Sequence, residues 1–370
     1  MYLGKKVKVL VADDSNFIRT LLTRELSKFP GITVIDTACN GKEVVEKNQT
    51  LKPDVIVLDV VMPIMDGIET LKEVMKTRPV PIIIFSSTAR HSREIVCKAL
   101  NLGAVDVIAK PCDFKDFKQA VKDLALRIMS TARSHTKLRR VYALDSIPSS
   151  PHGGLKVPKV ISEERKKSKI AQQLKGKPKR AVVIAASTGG PRAVKIVLSS
   201  LHAKSDVCVF IVQHMPKGFT ETFAQHLNVC TEYDVKEAGD GEKVFGGHAY
   251  VAPGGYHMLV DSKISYTIRL YNGPKKHGVK PAADYTLESV AKIWKENMIA
   301  VILTGMGCDG LEGSKKVKEH GGYVIAQDEE TSIVWGMPGE IVRAGLADKV
   351  LPLNMISHEI NKLLSKPRLR

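Results

Sequence analysis

The sequence predicts an α/β protein of two domains, each built on a mostly parallel sheet that helices cover on both faces. The length of 370 residues, at roughly 150 residues per domain, favours two domains, with three as the alternative. Short apolar runs rich in β-branched residues alternate with stretches of helical spacing, which is typical of parallel α/β sheets. Apolar residues make up 44% of the chain and charged residues 26%, as in ordinary globular proteins.

Several classes of protein are excluded at this stage. No apolar run reaches the 18 or so residues of a membrane span, so we expect no direct membrane insertion. The first residues lack the pattern of a secretory signal, and we expect a cytoplasmic protein. The six cysteines form no C-x-x-C pair, which argues against a zinc site and against a disulfide framework.

The net charge of +17 is concentrated in one segment. Residues 1–129 carry 20 basic and 16 acidic residues (+4), residues 130–180 carry 14 and 3 (+11), and residues 181–370 carry 22 and 20 (+2). The middle segment has Gly, Ser and Pro but no sustained apolar periodicity, so it reads as a linker. We therefore predict a first domain over 1–129, a basic flexible linker over 130–179 and a second domain over 180–370. A solvated basic linker is favoured over a nucleic-acid site, and we expect no nucleic-acid partner.

The first domain begins with five apolar runs that predict the strands of a parallel sheet. The runs cover residues 7–12, 34–38, 55–58, 82–85 and 105–109. Helical spacing separates them, for example over 17–26 and 68–75. In such sheets the chemistry gathers at the carboxyl ends of the strands.

Polar residues stand at the carboxyl ends of four of these strands. They are Asp13 with Asp14, Asp59, Ser86 and Lys110. Converging carboxylates repel one another unless a cation is present, and hard oxygen ligands suit Mg²⁺. With a metal and a lysine ammonium nearby, one aspartate could attack a phosphoryl group. A single acid at a strand end could equally cap the next helix, but that reading does not account for the whole set.

These residues resemble the receiver domain of two-component response regulators. The resemblance covers about 125 residues and is carried by the motifs Asp13-Asp14, Asp59 with the following Met62-Pro63, Ser86 and Lys110-Pro111. It implies a flavodoxin-like fold with Asp59 as phosphoacceptor and a sensor histidine kinase as phosphodonor. It also implies Mg²⁺ at Asp13, Asp14 and Asp59, and phosphate contacts from Ser86 and Lys110.

Two positions depart from the receiver pattern. Val61 stands where relatives often have a polar residue, and Val107 stands where an aromatic switch residue is usual. A rotating aromatic ring therefore cannot carry the phosphorylation signal in this chain, and we expect the signal to pass through Ser86 and the nearby backbone.

The second domain opens with a strand followed by a sharp turn. The apolar run 181–186 leads into Ser187-Thr188-Gly189-Gly190-Pro191 and then into a helical pattern. Glycines permit a tight turn, and a helix N-terminus offers free N–H groups. This place suits a nucleophilic serine whose oxyanion finds donors nearby. It also suits an ordinary N-cap serine, and the motif alone does not decide between the two.

Two further strands of the second domain end in chemically active residues. The run 207–212 leads to Gln213-His214, and the run 299–303 leads to a glycine-rich loop containing Asp309. Strand-end residues of one parallel sheet can meet in one crevice. Acyl-transfer chemistry would then use Ser187 as nucleophile, His214 as base and Asp309 to orient the imidazole. His248 and His257 are competing histidines for the same site.

A competing interpretation comes from the glycines of the last loop. Gly305, Gly307 and Gly310 form G-x-G-x-x-G after a strand, and Asp328 follows the next strand at a distance typical of a ribose-binding acid. A nucleotide-binding output domain is therefore an alternative. Against it, Asp309 would place a carboxylate inside the phosphate-binding turn.

Taken together, the motifs of the second domain resemble those of the chemotaxis protein-glutamate methylesterases. They are Ser187-Thr188-Gly189-Gly190, Gln213-His214-Met215-Pro216, Ala252-Pro253-Gly254-Gly255, and the loop from Thr304 to Gly310. With the receiver-like segment, the resemblance spans nearly the whole chain. It implies a doubly wound, mostly parallel α/β domain, distinct from the G-x-S-x-G hydrolases. It also implies a Ser187, His214 and Asp309 triad, with Thr188 and Met306 beside the oxyanion.

The resemblance implies a phosphorylation-activated enzyme of bacterial chemotaxis. Its substrates would be glutamate methyl esters, and certain glutamines, on the cytoplasmic domains of methyl-accepting chemoreceptors. Ester hydrolysis itself would need no cofactor. The alternatives are a response regulator whose second domain only binds a partner, and the nucleotide-binding domain described above.

Overall fold

The computed structural model describes residues 6–87, 89–111, 113–132, 176–262 and 265–366. Most of the predicted basic linker, 130–179, lies outside the described residues. These residues fall into two compact units, one around the N-terminal sheet and one around the C-terminal sheet. The described cysteines are not joined by disulfides.

The first unit is a parallel sheet of five strands alternating with helices. In chain order its elements are β1 (Val7–Ala12), α1 (Asn16–Leu26), β2 (Ile32–Ala38), α2 (Gly41–Leu51), β3 (Val55–Leu58), α3 (Gly67–Thr77), β4 (Ile82–Ser86), α4 (Arg90–Leu102), β5 (Asp106–Ala109) and α5 (Phe114–Thr131). The strand order is β2-β1-β3-β4-β5, with every neighbouring pair parallel. This is the flavodoxin-like order, and the predicted fold of the unit is confirmed.

Local sequence explains where the helices of this unit begin. The side chains of Ser15, Asn40 and Asp66 accept hydrogen bonds from the first-turn amides of α1, α2 and α3. Such caps satisfy amides that have no partner inside the helix. All four residues of β3 are buried, as expected for a strand covered on both faces.

The second unit has a larger parallel sheet. Its elements are β6 (Arg180–Ala186), α6 (Gly190–Ser199), β7 (Val207–Gln213), α7 (Phe219–Val229), β8 (Asp234–Glu237), β9 (His248–Val251), β10 (His257–Asp261), β11 (Thr267–Tyr271), α8 (Ala283–Trp294), a short 3₁₀ turn (Lys295–Asn297), β12 (Met298–Ile302), α9 (Leu311–Glu319), β13 (Tyr323–Gln327), α10 (Met337–Arg343), β14 (Lys349–Leu351) and α11 (Leu353–Ser365). The sheet order is β14-β13-β12-β6-β7-β9-β8, while β10 and β11 form a separate antiparallel pair.

The connectivity of the large sheet fixes where its crevice lies. β6 pairs with β7 on one side and with β12 on the other, so the chain reverses its direction of winding at β6. Ligands of doubly wound sheets bind at this switch point, beyond the carboxyl ends of the strands. The central strands β6, β7 and β12 are buried apart from Arg180. The aromatic rings of Tyr250 and Trp294 pack against that of Phe210 in the core.

Most observed strand ends match the predicted ends or extend beyond them by at most two residues. At two ends the observed strand is shorter than predicted. β2 begins at Ile32 rather than at residue 34, and β4 includes Ser86. β5 begins at Asp106 and β12 ends at Ile302, each one residue inside the predicted run. These differences do not move any of the strand-end residues singled out above.

Candidate functional sites

Ser187 follows the last residue of β6 and is held by its backbone. Its N–H donates to the Thr304 carbonyl at 3.0 Å, and its own carbonyl accepts from Gln213 Nε2 at 2.9 Å. A Cβ on Gly305 would lie 2.8 Å from Ser187 Cβ, so only glycine fits beside the serine. Gly189, with φ of 77°, turns the chain into α6. The serine is thus fixed at the switch point of the sheet.

His214 lies at the adjacent strand end. Its N–H donates to the Ala186 carbonyl at 3.0 Å, which places it next to the residue preceding Ser187. His214 is 5% exposed. Nε2 lies 2.7 Å from Asp309 Oδ2, so the predicted histidine and aspartate meet in one buried pair.

Asp309 is held by more than the histidine. Its carboxylate accepts hydrogen bonds from the N–H groups of Ala283 (2.6 Å), Asp284 (3.1 Å) and Gly310 (3.0 Å). The first two belong to the N-terminal turn of α8, where free amides stabilise negative charge. Burial opposes ionisation, but the contact with His214 and these amides keep the pKa of Asp309 below its usual value.

The predicted hydrogen bond between Ser187 and His214, two described residues, is not formed in this structure. Within the described part of the chain, the buried His214 Nδ1 has no hydrogen-bond partner. Because Nε2 is directed at Asp309, Nδ1 is the ring nitrogen left to receive a proton. Catalytic hydrogen bonds are often long in ligand-free enzymes and shorten when substrate binds.

Thr188 and Met306 are the two residues predicted to lie beside the oxyanion. Thr188 follows Ser187 in the turn before α6, and Met306 lies in the loop between β12 and α9. Their contact with an oxyanion stays a prediction.

Asp284 is a buried acid outside the motifs that the sequence singled out. Oδ1 accepts from the N–H groups of Gly310 (3.0 Å) and Gly313 (2.7 Å), and Oδ2 lies 2.8 Å from His277 Nε2. Asp284 therefore caps α9, while Asp309 caps α8, and the two carboxylates share the Gly310 amide. Asp284 lies in the first turn of α8, but a side chain that caps a different helix has no sequence signature.

The supporting roles of two glutamines were also not predicted, although Gln213 belongs to one of the motifs named above. Gln213 supports the Ser187 carbonyl, and Gln327 Oε1 accepts from the Thr304 N–H at 2.8 Å, which in turn fixes the carbonyl that Ser187 contacts. Both are fully buried last residues of strands. A polar residue at the end of a buried strand was the same signal that identified His214, and it could have been used for both.

The competing candidates have structural partners instead. His248 Nδ1 contacts the Gly246 carbonyl at 3.0 Å, and its Nε2 lies 3.3 Å from Asp234. His257 Nε2 contacts the Pro274 carbonyl at 2.9 Å. Asp328, the acid of the nucleotide-binding alternative, accepts from the backbone and hydroxyl of Thr331 in a local turn. Within the described ranges, none of these three side chains forms a hydrogen bond or an ion pair with Asp309. The nucleotide-binding interpretation is not favoured.

In the first unit, the strand-end residues meet at one edge of the sheet. Ser86 Oγ donates to Asp59 Oδ1 at 2.8 Å, and Lys110 Nζ contacts Asp59 Oδ2 and lies 2.6 Å from Asp13 Oδ2. Burial raises the pKa of Asp13 despite the nearby lysine. Burial alone would lower the pKa of Lys110, but the charges of Asp59 and Asp13 raise it overall.

This edge has the donor set of a hard-cation site. Carboxylate oxygens of Asp13, Asp14 and Asp59 lie within 4.8 Å of one another. Asp13 and Asp59 are buried, while Asp14 is exposed. Clustered carboxylates fit Mg²⁺, which binds through a few oxygens and keeps several waters.

The two departures from the receiver pattern differ in their surroundings. Val107 is buried in β5 and pairs with Ile84, whereas Val61 is 48% exposed beside the acidic edge. A small buried β-branched residue at position 107 has one preferred rotamer, so it offers no ring to rotate.

Comparisons with known proteins find similarity over both units of the chain. A family model described as CheB methylesterase matches residues 182–360, and one described as response regulator receiver domain matches residues 9–122. A protein of Symbiobacterium thermophilum named protein-glutamate methylesterase/protein-glutamine glutaminase is 41% identical over 98% of both chains. A Methanosarcina acetivorans protein of the same name, numbered 2, is 39% identical over 97% of this chain and 99% of its own.

Solved structures are similar to parts of the chain. The catalytic domain of Thermotoga maritima CheB methylesterase is 43% identical, covers 50% of this chain and 98% of its own, and has a TM-score of 0.48.

In the described residues, no helix is long and apolar enough to cross a membrane.

Proposed function

Because this chain belongs to the protein-glutamate methylesterase/protein-glutamine glutaminase family, we propose that Ser187, His214 and Asp309 are the catalytic triad of its methylesterase activity. The observation that carries the assignment is the 2.7 Å contact between His214 Nε2 and Asp309 Oδ2 in a buried crevice next to Ser187. An ionised aspartate orients the imidazole and stabilises its charged form during acyl transfer.

The geometry supports the following sequence of steps. Asp309 holds the Nε2–H tautomer, so Nδ1 of His214 accepts the Ser187 hydroxyl proton while Oγ bonds to the ester carbonyl carbon. The tetrahedral intermediate collapses, the carbon–methoxy bond breaks, and His214 returns the proton to give methanol. Water then attacks the acyl-serine with His214 as base, which releases glutamate and restores Ser187. A glutamine side chain follows the same steps with ammonia as the leaving group.

The oxyanion of these intermediates needs donors that are already in place. We assign that role to the turn at Thr188 and to the loop at Met306, which flank Ser187 and Asp309 in the chain. Preorganised donors at this position commonly contribute a few kcal/mol to transition-state stabilisation. No cofactor takes part in these steps.

We assign the receiver site a regulatory role. Asp59 accepts a phosphoryl group, and Ser86 and Lys110, which contact its two oxygens, would contact the phosphate. Asp13, Asp14 and Asp59 would hold Mg²⁺, which offsets the negative charge of the carboxylates and the incoming phosphate. The donor of the phosphate would be a chemotaxis sensor histidine kinase.

We place the reaction in the cytoplasm, on the signalling domains of methyl-accepting chemoreceptors. The family's names give glutamate esters and glutamines in proteins as the groups acted on. Hydrolysis of methylated glutamates on receptors would then return them to an earlier signalling state, as adaptation in chemotaxis requires.

Methanol release from a methylated receptor fragment tests the proposal directly. The wild-type protein should release methanol, and Ser187→Ala should lose several orders of magnitude in rate. The variant should still accept phosphate at Asp59, because that site belongs to the other unit. If Ser187→Ala released methanol at the wild-type rate, the nucleophile would be another residue. If the wild type bound the fragment without turnover, the partner-binding alternative would replace the enzyme.

A further inference from the structure

A basic loop lies next to the triad, and the catalytic steps above do not use it. The loop covers residues 272–282, between β11 and α8, and holds Lys275, Lys276, His277 and Lys280 with no acidic residue. We call it the basic loop.

Hydrogen bonds fix both ends of the basic loop to one buried side chain. His257, which is fully buried, contacts the Pro274 carbonyl through Nε2 at 2.9 Å and accepts from the Ala282 N–H through Nδ1 at 3.1 Å. This pattern requires the neutral Nε2–H form of the ring. Burial, the largest influence, lowers the pKa of His257, which favours that neutral form.

The middle of the basic loop is tied to the triad. His277 Nε2 and Lys276 Nζ lie 2.8 Å and 3.3 Å from Asp284 Oδ2, and the Asp284 N–H donates to Asp309 at 3.1 Å. Lys280 Nζ donates to Asn272 and to the Gly273 carbonyl. The basic loop therefore has a defined conformation, and Asp284 connects it to the catalytic aspartate, Asp309.

Two lysines beside the crevice do not hold the loop in place. Among the residues that the structure describes, the exposed ammonium groups of Lys217 and Lys275 have neither a hydrogen bond nor an ion pair. Lys217 stands three residues after His214. Gly254 and Gly255 connect it to the loop, because the Gly255 N–H donates to the Lys280 carbonyl at 3.3 Å and a Cβ there would lie 3.8 Å from Lys217 Cδ.

The chemistry of the reaction indicates what these cations would meet. Each hydrolysed site becomes a glutamate carboxylate, so a substrate segment with several sites carries negative charge beside the remaining ester. We propose that the basic loop and Lys217 form a docking surface for acidic residues that flank the scissile glutamate ester in the substrate protein. The inference rests on the proposed function and adds a recognition surface to it.

Charge reversal separates docking from chemistry. The double variant Lys217→Glu/Lys275→Glu is compared with the wild type and with Lys349→Glu, an exposed lysine at the start of edge strand β14. Two substrates are used, a methylated receptor fragment and the neutral γ-methyl ester of N-acetylglutamate α-amide. On the receptor fragment we expect kcat/KM of the double variant to fall on the order of tenfold. This loss should come from a higher KM, with kcat unchanged. On the neutral ester, and for Lys349→Glu on both substrates, we expect wild-type values.

Salt dependence gives a second readout. Wild-type kcat/KM on the receptor fragment should fall as ionic strength rises, and the double variant should show a flatter slope, because screening weakens exposed charge pairs. The proposal would be overturned by a double variant with wild-type KM and salt slope on the receptor fragment, or by an equal loss on both substrates. A wild-type protein that hydrolysed neither substrate would instead overturn the proposed function.

Discussion

The Asp309 carboxylate accepts hydrogen bonds from the backbone of two helix N-termini and also contacts His214. Its ionised form is therefore part of the fold as well as of the proposed mechanism. A neutral amide in its place would keep the volume but reverse one donor–acceptor pair and remove the charge that stabilises a protonated imidazole.

We accordingly expect Asp309→Asn to lower kcat by roughly four orders of magnitude. Because the folded-state pKa of Asp309 is depressed, its contribution to stability is present above the unfolded-state pKa and is lost as pH falls through the folded-state pKa. Wild-type stability should thus fall more steeply than that of Asp309→Asn in the acid range below the usual aspartate pKa. Thermal unfolding of both proteins at a series of pH values checks this, and parallel curves would contradict it.

For Asp13 in the receiver unit, the pH dependence of stability has the opposite sign. Burial raises its folded-state pKa, so ionised Asp13 costs stability; that cost develops as pH rises above the unfolded-state pKa and is complete above the folded-state pKa. Asp13→Asn should therefore unfold at a higher temperature than the wild type at neutral pH without Mg²⁺. It should also bind Mg²⁺ more weakly and phosphorylate Asp59 more slowly from a small phosphodonor.

Asp14→Asn is the matched control for this prediction. Asp14 is exposed, so its loss should slow phosphorylation without the same gain in thermal stability. If both variants were phosphorylated at the wild-type rate in Mg²⁺, the metal assignment would be wrong.

At the scale of elements, the sequence indicated which residues follow strands but not how helices hold them. The placing of Ser187, His214 and Asp309 near one another follows from parallel strands whose carboxyl ends share an edge, and apolar runs show such strands clearly. The reciprocal caps of Asp284 and Asp309 depend on how α8 and α9 pack, and the side chains of Gln213 and Gln327 act on loops distant in the chain. Such contacts have no fixed spacing, so a single sequence does not reveal them.

The reciprocal caps lead to a prediction for α8 and α9. Asp284→Ala should leave the Gly313 amide without its acceptor and remove the anchor of His277, and we expect unfolding to become easier by about 2–3 kcal/mol. Since Asp309 takes its position from the same turn, kcat on the neutral ester should fall more than KM rises. Glu288→Ala, on the exposed part of α8 with an i,i+4 partner in Lys292, should change both by little.

Chemical denaturation and steady-state kinetics of the two variants test this. An Asp284→Ala protein as stable and as active as Glu288→Ala would show that the caps are dispensable.

At the scale of the whole molecule, one chain combines a receiver domain with a methylesterase domain, and the proposed function requires a signal to pass from the first to the second. The segment predicted as a basic linker, 130–179, lies mostly outside the described residues, and its boundaries stay predictions. Its length of about 50 residues imposes only a modest entropic cost on any association of the two units, because the cost of loop closure grows with the logarithm of length.

We predict that the unphosphorylated receiver restrains the methylesterase and that phosphate on Asp59 relieves the restraint. A coupling free energy of about 1–3 kcal/mol corresponds to roughly 5- to 150-fold activation. With Val107 buried in β5, the change must pass through Ser86 and the backbone around it.

The full chain should therefore gain activity when a small phosphodonor is added, and Asp59→Asn should stay at its basal rate. A truncated protein starting at Lys179 should exceed the unphosphorylated full chain. Initial rates of methanol release on one methylated receptor fragment compare the three. A truncated protein no faster than the unphosphorylated full chain would mean that the receiver acts by positive activation or by bringing the enzyme to its substrate, since removing a restraint must raise the rate.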